Sequence, residues 1–162
     1  MDKVIIDGAI VENQWQLASD VQSVEELPAG KVIVSLSMWQ AHREALLQRG
    51  HVAVVLEPGE EPSVLEGDLA ALPLVAINFP AFKDGRGYSY ARELRTRFGY
   101  TGEVRAVGDV LRDQLFYMHR CGFNAFAVRA DRDIEEALKG LQDFTVTYQG
   151  DVNEPRPIYQ RA

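Results

Sequence analysis

Cysteine is all but missing from this chain of 162 residues: Cys121 is the only one. A single thiol cannot close an internal disulfide, which agrees with a reducing compartment. Nor can it hold an iron–sulfur cluster by itself. Its place after Arg120, at the end of a helical pattern, makes it a small buried residue rather than a stabilised thiolate. Histidine is scarce too: His42, His51 and His119 have no metal-ligand spacing, so no metal site is expected. No apolar run approaches the roughly 18 residues of a membrane span. The opening MDKVIIDG lacks the basic and apolar regions of a signal peptide, and a cytoplasmic location is expected. Positive charge is also short. A net charge of −7 argues against non-specific binding to a nucleic-acid backbone.

What remains is an ordinary globular composition, 46% hydrophobic and 25% charged. The expectation is one α/β domain over residues 1–162, with a hairpin and connector to 30, a βα core over 31–145 and a tail. KVIIDGAIVEN reads as a β-hairpin, because Asp7-Gly8 supplies the positive φ of a tight turn. Residues 14–30 are polar and turn-rich and read as a connector. From Lys31 the pattern alternates. KVIVSL, HVAVVLEP, PLVAINFP, EVRAVGD and NAFAVRA read as strands. Between them lie a helix capped by Ser37 with Gln40 and stopped at Gly50, and a short one after Ser63. Next come YSYARELRTRF, a helix capped by Asp109 and stopped at Gly122, and one opened by Asp131 or Asp133. The tail after 145 adds a strand before Pro155.

This pattern implies a mostly parallel sheet of about five strands with flanking helices, preceded by the hairpin. A partial β/α barrel is the second reading, since a full barrel takes about 250 residues. In either case ligands belong at the carboxyl ends of the strands.

Charge is unevenly spread. Residues 80–130 carry nine Lys/Arg against five Asp/Glu, so the remainder of the chain is strongly acidic. A basic centre in an acidic protein suits a small anion or an acidic partner, although solvated helix faces explain it as well. In FPAFKDGRGYS, Gly85 and Gly87 allow close backbone approach. Arg86 between them could hold two oxygens of an oxyanion, unless it pairs with Asp84. Tyr88 and Tyr90 could donate hydroxyl bonds or stack on a ligand. Gly85-x-Gly87-x-x-Tyr90 misses the third glycine of a dinucleotide fingerprint, although Asp109 stands near the position of its ribose-binding acid. Asp109 and Asp113 lie four apart. They share a helical face and an acid–base role only if the helix starts at or before Asp109; otherwise they are cap and first-turn acid. Arg112 joins Arg86 at an anion or pairs with a neighbouring acid. No cofactor is expected.

The runs FPAFKDGRGYSYARELR and GDVLRDQLFYMHRCGFNAF resemble an uncharacterised bacterial family, a domain of unknown function. The likeness covers about the C-terminal two-thirds of the chain. Its members are often described as oxidoreductases of sulfite reduction, because they tend to be encoded beside assimilatory sulfite reductase. The resemblance implies that pathway, with the reductase or its electron donor as partner, but it supplies no reaction. Sulfite reduction needs haem, iron–sulfur or flavin chemistry, for which these residues offer no motif. An accessory role is the reading that follows, with a non-catalytic interaction module or a nicotinamide-dependent oxidoreductase as alternatives. The ligand-binding candidates are Asp84, Arg86, Tyr88, Tyr90 and Arg112, with Asp109 and Asp113 as the catalytic candidates.

Overall fold

Local turn chemistry sets the start of the chain. Asp7 (φ 51°) and Gly8 (φ 82°) make the expected tight turn between β1 (Lys3–Ile6) and β2 (Ala9–Glu12). The computed structural model describes residues 3–80, 85–129 and 132–144. The expected tail strand and Asp131 lie outside them.

The stretch read as a connector is different. Trp15–Leu17 form a short strand, β3, parallel to β4 (Lys31–Ser35). Three residues are too few to show alternation, so this strand exists only through its pairing. Then follow α1 (Leu36–Ala41), α2 (Arg43–Arg49), β5 (Val52–Leu56) and a 3-10 stretch at Pro62–Ala71. The remainder is β6 (Leu74–Phe79), α3 (Arg86–Thr96), β7 (Glu103–Gly108), α4 (Arg112–Cys121), β8 (Ala125–Phe126) and α5 (Ile134–Phe144).

Several caps fall elsewhere than expected. Ser35, not Ser37, caps α1 by accepting the Met38 N–H at 3.1 Å, because the extended chain ends there (ψ 159°) and Leu36 must turn into the core. The helix expected to run through to Gly50 bends at His42, although the His42 and Leu46 amides keep their bonds four residues back. Asp133 accepts the Glu135 N–H at 2.9 Å at the start of α5.

The eight strands form one sheet in the order β2-β1-β8-β7-β6-β5-β4-β3. From β3 to β8 the neighbours are parallel; the hairpin adds β1 and β2 antiparallel beyond β8. The sheet therefore has eight strands where about five were expected, since the hairpin joins it and β3 extends it. It curls into a half-barrel.

Alternation sorts the strand residues onto two faces. One face carries Val34, Val54, Ile77, Ala106 and Phe126, and these pack in one core with Trp39, Leu46, Leu65, Leu94, Leu115 and Leu141 from the helices. The other carries Ile33, Ala53, Val55, Leu74, Ala76 and Val107, which pack with Trp15 and Ala127 and with no helix. The helices thus cover the outside of the curl. The two edge strands are consecutive in the chain, separated only by Asn13 and Gln14. Such a link spans roughly 10 Å, so the edges of the sheet meet at that point.

Close packing fixes α3 on β6. A Cβ at Gly87 would lie 2.6 Å from the Phe79 ring, so the helix approaches the strand only because residue 87 has no side chain. At the other end of α3 the Arg95 guanidinium donates to the carbonyls of Gly122, Tyr100 and Gly102 at 2.7–2.9 Å. Burial pulls its pKa below the ordinary guanidinium value. Part of the basic centre is therefore a clasp on backbone. Beside it the Tyr100 hydroxyl donates to the Leu72 carbonyl at 2.7 Å, and burial raises its pKa well above the usual tyrosine value.

A phenol held neutral by the fold ionises first in the unfolded chain. Its contribution is complete below the ordinary tyrosine pKa of about 10 and is lost as pH rises above it. Tyr100→Phe is expected to cost about 1–3 kcal/mol at neutral pH, by leaving the Leu72 carbonyl unsatisfied. The cost shrinks above about pH 10. Urea unfolding of both proteins at pH 7 and pH 10.5 checks this; a cost that does not shrink at high pH contradicts it.

Candidate functional site

The carboxyl ends of β4 to β8 form a rim where α/β sheets receive ligands. After β5 the chain turns sharply. Glu57 donates its N–H to Glu60 Oε1 at 2.8 Å and accepts Asn78 Nδ2 on its side chain at 2.8 Å, which ties β5 to β6. Gly59 donates its N–H to the Tyr90 hydroxyl at 2.8 Å. Tyr90 is buried, so its polar end is spent on holding this loop against α3.

Tyr88 is held by other rings. Its ring centre lies 5.1 Å from Phe79 and 4.9 Å, edge-on, from Tyr117 of α4. Burial pushes its hydroxyl pKa up, with Cys121 and Tyr117 adding to the effect, so the phenol stays neutral. Arg86 opens α3 and is exposed, and its Nη1 lies 3.7 Å from where a Gly59 Cβ would stand. Asp84 lies outside the described residues.

Asp109 does not cap α4. Gly108 (φ 92°) and the buried Val110 carry the chain past it, and the helix starts at Arg112 after an extended Leu111. The Gln114 side chain accepts the Leu111 N–H at 3.2 Å and takes over the capping. Asp109 instead donates its N–H to the Phe79 carbonyl and binds Arg129 Nη1 at 2.9 Å. It therefore shares no helical face with Asp113, which is an exposed first-turn acid of α4.

Arg112 turns to α5. Its Nη1 lies 3.6 Å from Glu136, and its Nε 2.8 Å from where a Gly140 Cβ would stand. With Asp113, Arg132 and Asp133 it lines an open surface cavity of about 410 Å³. Arg86 and Arg112 thus have different neighbours, one at the β5 loop and one at α5. Cys121 is buried and takes an Arg92 Nη2 contact at 3.5 Å. No group of three or more metal-binding side chains exists among the described residues.

One polar residue of the inner face was not singled out by sequence. Arg105, in the middle of β7, is 2% exposed. Its Nε donates to Glu103 at 2.8 Å and its Nη1 to Asn13 at 2.8 Å. The neighbouring cross-strand partners are Ala76 on one side and Ala125 on the other. Arg105 and Trp15 separate two cavities on the inner face. One, of about 510 Å³, is lined by Glu12, Lys31, Pro73 and Glu103; the other, of about 590 Å³, by Gln16, Leu17, Ile33, Val107 and Ala127. The signal was present in EVRAVG, where a charge stands in the middle of a strand otherwise apolar on both faces.

A curled, largely parallel sheet with helices on its outside and an open inner face defines a mixed α/β half-barrel protein. The chain belongs to a family described as bacterial protein of unknown function (DUF934), whose model matches residues 53–159. The match begins inside β5 and takes in the rim, Arg86, Arg105 and Arg112; β1 to β4 precede it. No curated protein matches the chain. No helix among the described residues is long and apolar enough to cross a membrane.

The Arg105 bonds give a direct test. Glu103→Ala leaves a buried guanidinium without its counter-charge and is expected to destabilise the protein by about 3–5 kcal/mol. Urea unfolding measures it, and a loss below about 1 kcal/mol, the level of an exposed pair, contradicts the burial argument.

Proposed function

We propose that this protein is an accessory of assimilatory sulfite reduction in the cytoplasm, binding a small oxyanion at the carboxyl rim. The placement of Arg86 carries the reading. The Gly85-Arg86-Gly87 run, among the residues that resemble sulfite-reduction proteins, starts α3 at the rim between the ends of β5 and β6. A guanidinium at a helix N-terminus suits sulfite, sulfate or phosphate. The role proposed is binding, with no redox step assigned to the chain.

A second observation favours docking on the reductase or its electron donor. α3 and α4 lie side by side and expose Arg92 and the half-exposed Tyr117, with Arg97 just past the end of α3 beside Glu93, on a chain that is acidic elsewhere. A basic helical face of this kind suits an acidic patch on a partner. Recovery of the reductase or its donor with the tagged protein from sulfate-grown cells, lost at high salt, supports this. Its absence at low salt counts against it.

Arg86→Ala is expected to weaken sulfite or sulfate binding roughly 10- to 150-fold, the worth of a charge-assisted contact of about 1.5–3 kcal/mol. Stability should change by no more than about 0.5 kcal/mol, since the residue is exposed. Calorimetric titration with thermal unfolding of both proteins tests the two parts. Unchanged anion affinity removes Arg86 from the site.

A further inference from the structure

We infer that the inner face of the half-barrel is a binding site for a small organic carboxylate, anchored by Arg105. The site is separate from the oxyanion rim and does not depend on it. Three observations carry the inference.

The first is hydrogen-bond arithmetic. A guanidinium has five N–H donors. The bonds to Glu103 and Asn13 use one on Nε and one on Nη1, and no bond is made by Nη2. Three donors therefore remain on a side chain that is 2% exposed. None of the three is fully enclosed without a partner, and Arg105 lines both inner cavities, where a ligand or water can satisfy them. They are one N–H of Nη1 and two of Nη2, and a guanidinium edge with two free N–H groups grips a carboxylate with parallel bonds.

The second is unfilled space. In closed β/α barrels bulky branched side chains from the strands fill the interior. Here the inward positions flanking Arg105 are Ala76 and Ala125, with Ala53 and Ala127 nearby on the same face. Of these only Ala127 lines the cavity beside Arg105, whose volume of about 590 Å³ lies within the usual range of small-molecule sites.

The third is the character of the wall. Ile33, Val107, Ala127 and Leu17 are apolar, Asn13 and Gln16 are polar and uncharged, and Arg105 is the only charged residue of that cavity among the described residues. An inorganic anion gains nothing from an apolar wall, whereas a carboxylate with a short hydrocarbon body uses both. Glu103 balances the single guanidinium charge, so the ligand is held by the remaining N–H donors, which favours a monoanion over a dianion.

Trp15 lines the cavity and reports on it, while Trp39 is buried in the helix-side core with its Nε1 on Asp68. Titration of the whole protein with hexanoate, followed by Trp15 emission, is expected to give saturable binding that Trp15→Phe renders silent. Sodium sulfate at equal ionic strength should neither give that change nor compete. Arg105→Met is expected to weaken hexanoate roughly 10- to 150-fold. Because that variant also loses the bonds to Glu103 and Asn13, Ala127→Leu provides a second arm. It narrows the cavity at a residue that makes none of those bonds, and it should weaken hexanoate roughly tenfold or more while the protein still unfolds cooperatively. No saturable response to hexanoate, equal binding of sulfate, or full binding by folded Ala127→Leu would each overturn the assignment.

Discussion

The guanidinium of Arg105 reaches from the middle of the sheet to the link between its two edge strands. On its own strand it holds Glu103, and across 92 residues of sequence it holds Asn13. The curl of the sheet brings these groups together, and the bonds in turn hold the edge link against the inner face. A charged group this deep is tolerable only when paired and hydrogen-bonded. Lys31 strengthens the same junction, donating to Gln14 at 2.8 Å and lying over the Trp15 ring.

Placing every helix on the outside has a second consequence. The outer face of the central strands is buried by helices, while among the described residues the inner face is covered only by the sheet's own curvature. That coverage is incomplete, and cavities remain beside Arg105 and Trp15, one of them lined by Ala127. The rim differs in kind. Its polar groups are largely spent on joining one strand end to the next: Glu57 to Asn78, Tyr90 to Gly59, Asp109 to Arg129. Rim and inner face therefore offer different chemistry, a charged exposed edge and a mixed wall that carries a buried arginine.

The basic centre of the chain divides along the same lines. Arg95 is structural, clasping three carbonyls, and Arg105 is interior. Arg97 pairs loosely with Glu93, Arg129 with Asp109, and Arg112 with Glu136. A local excess of positive charge in sequence thus becomes several separate roles in space. Membership of the DUF934 family covers most of these residues but brings no activity with it.

What the sequence determined alone is what depends on neighbours a few residues apart. The Asp7-Gly8 turn, the strands from β4 to β7, and the helix stops at Gly50 and Gly122 follow from local φ preferences and apolar periodicity. The start of α4 escaped this reading, because Val110 is drawn into the core and carries the chain past the polar residue that looked like a cap. Tertiary structure decided everything that rests on distant pairing. β3 is a strand only because β4 lies beside it, and the hairpin extends the sheet only because β8 accepts β1. Arg86 and Arg112 follow successive strands yet are held by different elements, since side-chain direction depends on which helix packs alongside. Arg105 was visible as a charge within a strand. That it faces inward to a cavity was settled by curvature, a property of the whole sheet and of no segment within it.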